Sequence, residues 1–138
     1  MAHYAELNQN NEVIRVLYMD NEIITNENGE EDEQLGIAHL HFHHGSERKW
    51  VRTSYRGNFR GRYAGIGDLY REDIDKFITP NSPYPSWIIN ETNGEWESPI
   101  SKPEHTEEYP IDQYYYDWDE DLYQQDNTKG WLLLPIEF

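Results

Sequence analysis

Four histidines crowd the segment "HLHFHH", and they are the side chains best suited to binding a metal ion. His39 and His43 are four residues apart, so a helix would place both on one face at a spacing that can ligate zinc. The glutamate of a metalloprotease motif is missing between them, and the chain has no cysteine. Histidines at the end of a helix also complement its negative dipole terminus without a metal. The sequence therefore predicts no essential metal at His39, His41, His43 and His44, and no other cofactor.

A second segment is strongly basic, although the formal net charge of the chain is −16. Residues 48–62 contain six cations and no acid, and aromatic residues are interleaved with the cations. Single-stranded nucleic-acid binders use that mixture to neutralise phosphates and stack bases. The surrounding negative charge opposes a polyanion, however, and arginine also pairs well with carboxylates of its own chain or of a neighbour. We expect protein contacts and local folding, with nucleic-acid binding disfavoured, for Arg56, Arg60 and Arg62.

The C-terminal segment "YYYDWDEDLY" combines carboxylates with aromatic rings. A glycosidase needs two carboxyl groups held across a cleft, whereas an acidic run is usually a solvated surface. We therefore predict no catalytic residues and no enzyme activity. Protein interfaces favour Tyr, Trp and Arg as anchors, so we expect a contact surface instead. Its predicted residues are Arg56, Arg60, Arg62, Trp87, Trp96, Tyr114, Tyr115, Tyr116, Trp118, Leu133 and Phe138.

The length and composition restrict the class of protein. A chain of 138 residues is enough for one modest core and an appendage. Aromatic residues make up 14%, which argues against a simple disordered acidic tail. No apolar run approaches membrane-spanning length, and the start "MAHYAELN" lacks the order of a signal peptide. We expect a protein made and used in a cytoplasm, or in a particle assembled there.

Periodicity predicts the elements of the first half. Residues 4–7 and 12–19 form two strands joined by the turn "NQNN", and the second strand is apolar on both faces, which is typical of a central strand. A helix over residues 31–44 carries acids in its first turn and histidines in its last. Leu35, Ala38 and Phe42 form its apolar face. The segment "KWVRTSY" predicts another strand.

After Gly67 a loose repeat predicts three hairpins, "LYREDIDKFI", "IINETNGEWE" and "LYQQDNTKGWL", separated by proline-rich linkers. We therefore predict an α+β fold. A small domain of antiparallel strands with one helix spans residues 1–79, and a proline-spaced arm of short β-hairpins spans residues 80–138. The apolar terminus "WLLLPIEF" is too hydrophobic to stay exposed in a soluble monomer, so we expect part of the arm to anchor in a partner.

The run "WVRTSYRGNFRGRYAGIG", followed by "PYPSW" and a terminal tryptophan hairpin, resembles a family of small proteins encoded by marine phages, cyanophages in particular. The matching positions are Trp50, Thr53, Ser54, Tyr55, Asn58, Tyr63 to Gly67, Phe77 and Pro83 to Trp87. The resemblance is specific in the middle of the chain and weak in the acidic residues 104–126. The chain departs from the pattern at "GDLYRED". The resemblance implies a virion-associated structural component and no catalytic residues.

The expected function is that of a phage structural protein, an accessory virion component that decorates the head or docks at the tail. Its partners would be capsid or tail proteins, in multiple copies per particle, and its location the virion assembled in the host cytoplasm. Two alternatives stay open. The acids of residues 104–126 are compatible with a host-directed regulator that mimics DNA, and aromatic rings beside acids are compatible with a glycan-binding module at a tail tip.

Overall fold

The structure is a computed structural model that describes residues 1–137. The chain forms two compact units. The first contains residues 1–81 and 90–95, and the second contains residues 82–89 and the described residues from 96 onward. Several small antiparallel sheets and one main helix make up these units, so the predicted α+β fold class is confirmed.

A three-stranded antiparallel sheet is the centre of the first unit. Its strands β1 (Ala2–Leu7), β2 (Val13–Met19) and β3 (Lys49–Thr53) lie in the order β2-β1-β3. The predicted hairpin and the following strand are confirmed, but the prediction of a central second strand is wrong. β1 is central and buried along nearly its whole length, whereas β2 is an edge strand that exposes Ile14 and Tyr18.

The main helix α1 (Glu33–His44) begins two residues later than predicted, because Asp32 caps it. The Asp32 side chain accepts a hydrogen bond from the Gln34 backbone N–H at 2.9 Å. The helix buries Gly36 and Leu40. The predicted apolar face is exposed instead, and Phe42 leaves 85% of its surface in solvent.

The two faces of the sheet carry separate cores, because neighbouring residues of a strand point to opposite sides. On one face, Tyr4 and Trp50 pack with Leu40 of α1. On the other face, Ala5 and Val51 pack with the hairpin of β4 (Leu69–Arg71) and β5 (Lys76–Ile78), through Tyr70 and Phe77. The sheet is thus covered by a helix on one side and a hairpin on the other.

The second unit consists of two antiparallel strand pairs and a short helix. β6 (Ile88–Ile89) pairs with β7 (Trp96–Glu97), as predicted. β8 (Tyr114–Trp118) pairs with β9 (Trp131–Pro135), and α2 (Glu120–Gln125) connects them. The predicted third hairpin is therefore wrong, because its first half lies in α2. Asp119 caps that helix by accepting from the Leu122 N–H at 3.0 Å. None of the helices within residues 1–137 has the length and apolar character to cross a membrane.

Candidate functional site: an aromatic surface beside the arginine loop

The basic segment pairs mostly with carboxylates of its own unit. Five of its six cations form ion pairs with the chain, and the sixth, Arg56, has no ion-pair partner within residues 1–137. These acids come from β1, from the start of α1 and from the loops around β4 and β5. The pairs are Arg48–Glu6, Lys49–Glu72, Arg52–Glu31, Arg60–Glu33, Arg60–Asp75 and Arg62–Asp68.

Arg60 is the most enclosed of the three predicted contact arginines. It pairs with Glu33 at the start of α1 and donates to Asp75 at 2.8 Å. Burial alone would lower the pKa of Arg60, but the hydrogen bonds to these two carboxylates outweigh burial and raise the pKa above its ordinary value. Arg62 is half exposed and lies 3.3 Å from Asp68. Arg60 therefore joins the helix to the hairpin, and Arg56 is the exposed arginine of this loop that has no ion pair among residues 1–137.

Beside this loop, four rings form a connected cluster that we call the aromatic surface: His3, Tyr18, Tyr55 and Tyr63. His3 is at its centre. It stacks on Tyr55 with ring centroids 5.4 Å apart and planes at 23°, and it meets Tyr63 edge-on at 5.4 Å. Tyr18 lies 6.0 Å from His3, and Tyr55 meets Tyr63 at 5.3 Å. Tyr18 and Tyr55 remain 67% and 68% exposed, so the cluster is a surface and not a core.

Strand register brings these rings together. His3 of β1 is opposite Tyr18 of β2 on one side and Thr53 of β3 on the other. Tyr55 lies two residues after Thr53, the last residue of β3, so the side chains of both residues point to the same side of the sheet. Tyr63 arrives through the glycine-rich loop, where Gly57 and Gly61 have positive φ values of 70° and 73°. The surface therefore depends on three strands and one loop.

The protonation states favour stacking. Burial, the N-terminal ammonium group and Arg52 together lower the pKa of His3, so the neutral imidazole is favoured near neutral pH. Burial and the neighbouring Tyr55 raise the pKa of Tyr63, which keeps its phenol protonated. The imidazole of His3 and the phenol of Tyr63 are consequently uncharged at neutral pH, and their neutral rings suit stacking.

A cleft of about 620 Å³ adjoins the aromatic surface and includes His3 and Tyr55 in its walls. Arg52 crosses it, with its guanidinium 5.2 Å from the Phe59 ring centroid and 2.8 Å from a Glu31 carboxylate oxygen. Arg56 also lines the cleft. The cleft therefore offers aromatic faces for stacking, the unpaired guanidinium of Arg56 and the paired guanidinium of Arg52. Such groups can form the contact surface for another molecule.

The histidine cluster lies apart from this surface, on the last turns of α1. The rings of His39 and His43 are 4.5 Å apart between centroids, which confirms that they share a helix face. His41 binds the Arg48 carbonyl oxygen through Nε2 at 2.8 Å. Within residues 1–137, no group of three or more His, Asp or Glu side chains is arranged to hold a metal ion.

The remaining predicted contact residues belong to the second unit. Trp118 is 5% exposed and packs against Trp87 and Trp131, so it belongs to the core of that unit. Tyr115 is exposed, and five others are half-buried, namely Trp87, Trp96, Tyr114, Tyr116 and Leu133. Phe138 lies outside the described residues.

None of the four rings of the aromatic surface is among the predicted contact residues. Tyr55 and Tyr63 lie in the basic segment that the sequence singled out, whereas nothing in the sequence marked His3 and Tyr18. Both lie in strands, and each is surrounded by apolar neighbours that suggest burial. The β1–β2 register places His3 opposite Tyr18, but a β-bulge between Glu6 and Leu7 shifts that register, so the turn "NQNN" alone does not predict the pairing. Comparison with known proteins adds no family to this picture, since no protein-family model, no curated protein and no solved structure matches the chain.

Proposed function

We propose that the chain is a protein-binding module, an accessory component of a phage particle that decorates the head or docks at the tail, and that the aromatic surface is its contact site. The observation that carries this proposal is the exposure of Tyr18 and Tyr55 within a packed set of rings. Large aromatic side chains kept in solvent by a folded unit are typical of interaction sites.

The arrangement suits binding because the rings are already ordered. His3 and Tyr63 hold Tyr55 through stacked and edge-on contacts. A partner that covers Tyr55 therefore gains buried apolar area with little further loss of side-chain freedom. Full burial of one such ring is worth about 1.5–3 kcal/mol before the cost of association. Arg56 adjoins the rings and supplies a guanidinium for a carboxylate on the partner.

The charges support a protein partner over a polyanion. Five of the six basic side chains of residues 48–62 are already neutralised by carboxylates of the first unit. Few phosphates could then be neutralised, and the acidic surplus of the chain would repel the rest. The resemblance of "WVRTSYRGNFRGRYAGIG" to marine-phage proteins supplies the setting, with capsid or tail proteins as the partners and contact rather than catalysis as the activity.

The test counts copies of the protein in purified particles of the phage that encodes it. The variant carries Tyr18→Ala and Tyr55→Ala, and the matched control is Phe42→Ala, which removes an exposed ring of α1 that is not part of the aromatic surface. We expect mass spectrometry to find at least a tenfold loss of copies, relative to the major capsid protein, for the double variant only. Normal incorporation of the double variant would refute the contact site.

Absence of the wild-type protein from particles would refute the virion assignment itself. A pull-down from infected host lysate then decides between the proposal and the DNA-mimic alternative. Capture of a host polymerase or nuclease, in place of a capsid or tail protein, would favour mimicry by the acids of residues 104–126.

A further inference from the structure

A second cleft lies wholly within the second unit and has indole rings in its walls. Trp87, Trp96 and Trp131 line a space of about 370 Å³, within the range of small-ligand sites. All three tryptophans are half-buried, so each keeps part of its ring accessible. This cleft shares no residue with the aromatic surface of the first unit.

The indoles are held in place by contacts behind them. The Trp131 Nε1–H donates to the Ile100 carbonyl oxygen at 2.8 Å. The same ring packs on the buried Trp118 at 5.2 Å and on Trp87 at 6.1 Å between centroids. The cleft walls are therefore preformed, so binding of a ligand costs little side-chain conformational entropy in the indole rings.

The charges around the cleft argue against both cationic and anionic ligands. The Lys102 ammonium already lies 5.8 Å from the Trp131 ring centroid, in the position that a cationic ligand would occupy. Residues 82–89 and 96–137 together contain eleven carboxylates and two lysines, so the unit as a whole repels anions. The ligand that fits is uncharged.

The polar groups in the cleft wall further restrict the chemical class of the ligand. Glu97, Ser101 and Lys102 line the cleft beside the indoles and provide acceptors and donors. The Trp87 Nε1–H is buried and has no hydrogen-bond partner within residues 1–137. A ligand for such a site needs an apolar face for the indoles and a rim of hydroxyl groups for the polar side chains.

We propose that this cleft binds a neutral saccharide. A pyranose ring has the required two-sided character, since its C–H groups form an apolar face and its hydroxyls point outward around the edge. The C–H groups carry slight positive charge and meet the negative face of an indole, while the hydroxyls pair with Glu97, Ser101 and Lys102. Saccharide binding does not depend on the proposed protein-binding function, because it concerns a different ligand and a cleft in the second unit, whereas the aromatic surface lies in the first unit.

The experiment uses the full chain and soluble neutral oligosaccharides built from glucose, mannose and N-acetylglucosamine. Saturation-transfer difference NMR identifies binders, and calorimetry gives their dissociation constants. We expect at least one oligosaccharide to bind with a dissociation constant of about 1 mM or below. Trp96→Ala should weaken binding at least tenfold, and Phe42→Ala, which removes an exposed ring from α1 of the first unit, should leave the dissociation constant unchanged.

Ser101→Trp gives a second route to the same answer if Trp96→Ala fails to fold. Ser101 is exposed, so a large side chain there should fill the cleft and abolish saccharide binding while the circular dichroism spectrum stays that of the wild type. Decaproline and tetramethylammonium are tested in parallel as ligands of two other chemical classes. The proposal is overturned if no oligosaccharide binds at 10 mM, if binding survives both substitutions, or if only decaproline or tetramethylammonium binds.

Discussion

Glu6 is a carboxylate buried in the central strand of the first unit, and two arginines compensate its charge. It is 3% exposed, with Arg15 Nη2 at 2.7 Å from one oxygen and Arg48 Nη1 at 2.8 Å from the other. Both arginine side chains keep over a third of their surface in water, so only the Glu6 carboxylate is fully desolvated. Arg15 also covers the Trp50 ring at 5.4 Å, which links the ion pair to the core.

Replacing Glu6→Gln should therefore destabilise the first unit by about 1–3 kcal/mol, because the amide keeps only one acceptor oxygen and places an NH2 donor against the other arginine. The exposed pair of Glu72 and Lys49 provides the matched control. Glu72→Gln should cost clearly less than Glu6→Gln, since solvent screens that pair. Urea unfolding followed by circular dichroism measures both. Equal midpoints for the two variants would show that burial of Glu6 has no energetic consequence.

His3 gives the aromatic surface a pH dependence. Its pKa is lowered in the folded chain by burial, by the N-terminal ammonium group and by Arg52, so protons bind more readily to the unfolded chain. The stability that His3 contributes is thus fully present above its unfolded pKa of about 6.5 and declines as the pH falls from there toward the folded pKa.

We expect His3→Gln to reduce the loss of melting temperature between pH 7.5 and pH 5.5. Tyr18→Ala is the matched control, because it removes a neighbouring ring and leaves the titrating imidazole in place. Differential scanning calorimetry at several pH values measures the slopes. A slope for His3→Gln identical to that of the wild type would contradict the proposed role of His3 titration.

At the scale of elements, α1 packs on the sheet through a glycine. A Cβ at Gly36 would lie 2.2 Å from the Tyr4 hydroxyl oxygen and 2.3 Å from its ring carbon, so the helix approaches β1 only because that position has no side chain. The Tyr4 hydroxyl donates to the Glu33 carbonyl oxygen at 3.0 Å and satisfies part of the first helical turn. Burial raises the pKa of Tyr4 to about 12, which keeps this donor protonated.

Gly36→Ala should lower the stability by about 1–3 kcal/mol, because overpacking outweighs the gain of about 1 kcal/mol in helix propensity. Gln34→Ala is the control, as it improves propensity at an exposed position of the same helix and should be neutral or slightly stabilising. Chemical unfolding of both variants provides the comparison. A stabilised Gly36→Ala protein would mean that α1 can shift away from Tyr4 at little cost.

Sequence-based prediction of the elements succeeded where the signals are local, and Gly36 shows why it chose the wrong face of α1. Alternation and turn residues predicted the β1–β2 hairpin, β3 and the hairpins at residues 69–78 and 88–97, because those signals are local. Apolar spacing chose Leu35, Ala38 and Phe42 as the helix face, but the buried face contains Gly36, which no hydrophobicity pattern marks. The third hairpin was wrong since Asp119 caps a helix where an aromatic repeat suggested a strand.

The candidate site was predictable only in part, for a related reason. Its arginine loop stands out in composition, and Tyr55 and Tyr63 lie within it. His3 and Tyr18 join them through the pairing of β1 with β2 and with β3, and the β1–β3 register relates His3 to Thr53, which is far away in sequence. The internal pairing of Arg60 with Glu33 is likewise non-local and carries no sequence signature.

At the scale of the whole molecule, the first unit is discontinuous in sequence. Residues 90–95, the turn between β6 and β7, belong to it. Gly94 is buried there, and a Cβ at that position would contact Lys76 at 3.2 Å and the Phe77 carbonyl oxygen at 3.5 Å. Glu91 approaches Arg71 at 3.7 Å. This turn therefore completes the surface around the β4–β5 hairpin.

A chain that ends after Thr79 should consequently be less stable than one that ends after Glu95, by about 1–3 kcal/mol, because it exposes the backbone around Phe77 and loses these contacts. Within the full chain, Gly94→Ala should mimic part of the loss, since φ is +76° there and the space is occupied. Denaturant midpoints of the three proteins test this. Equal stability of the two shortened chains would show that residues 90–95 contribute nothing.

The discontinuity also sets an order of events during biosynthesis. At a synthesis rate of 5–20 residues per second, about one to three seconds separate the emergence of Asn81 from the ribosome and that of Glu95. During that interval β1 to β5 can pair, yet the turn that covers Phe77 has not emerged. Completion of the nascent first unit thus requires a segment encoded after the start of the second unit, so a pause in translation while residues 81–95 are leaving the ribosome would prolong the exposure of Phe77.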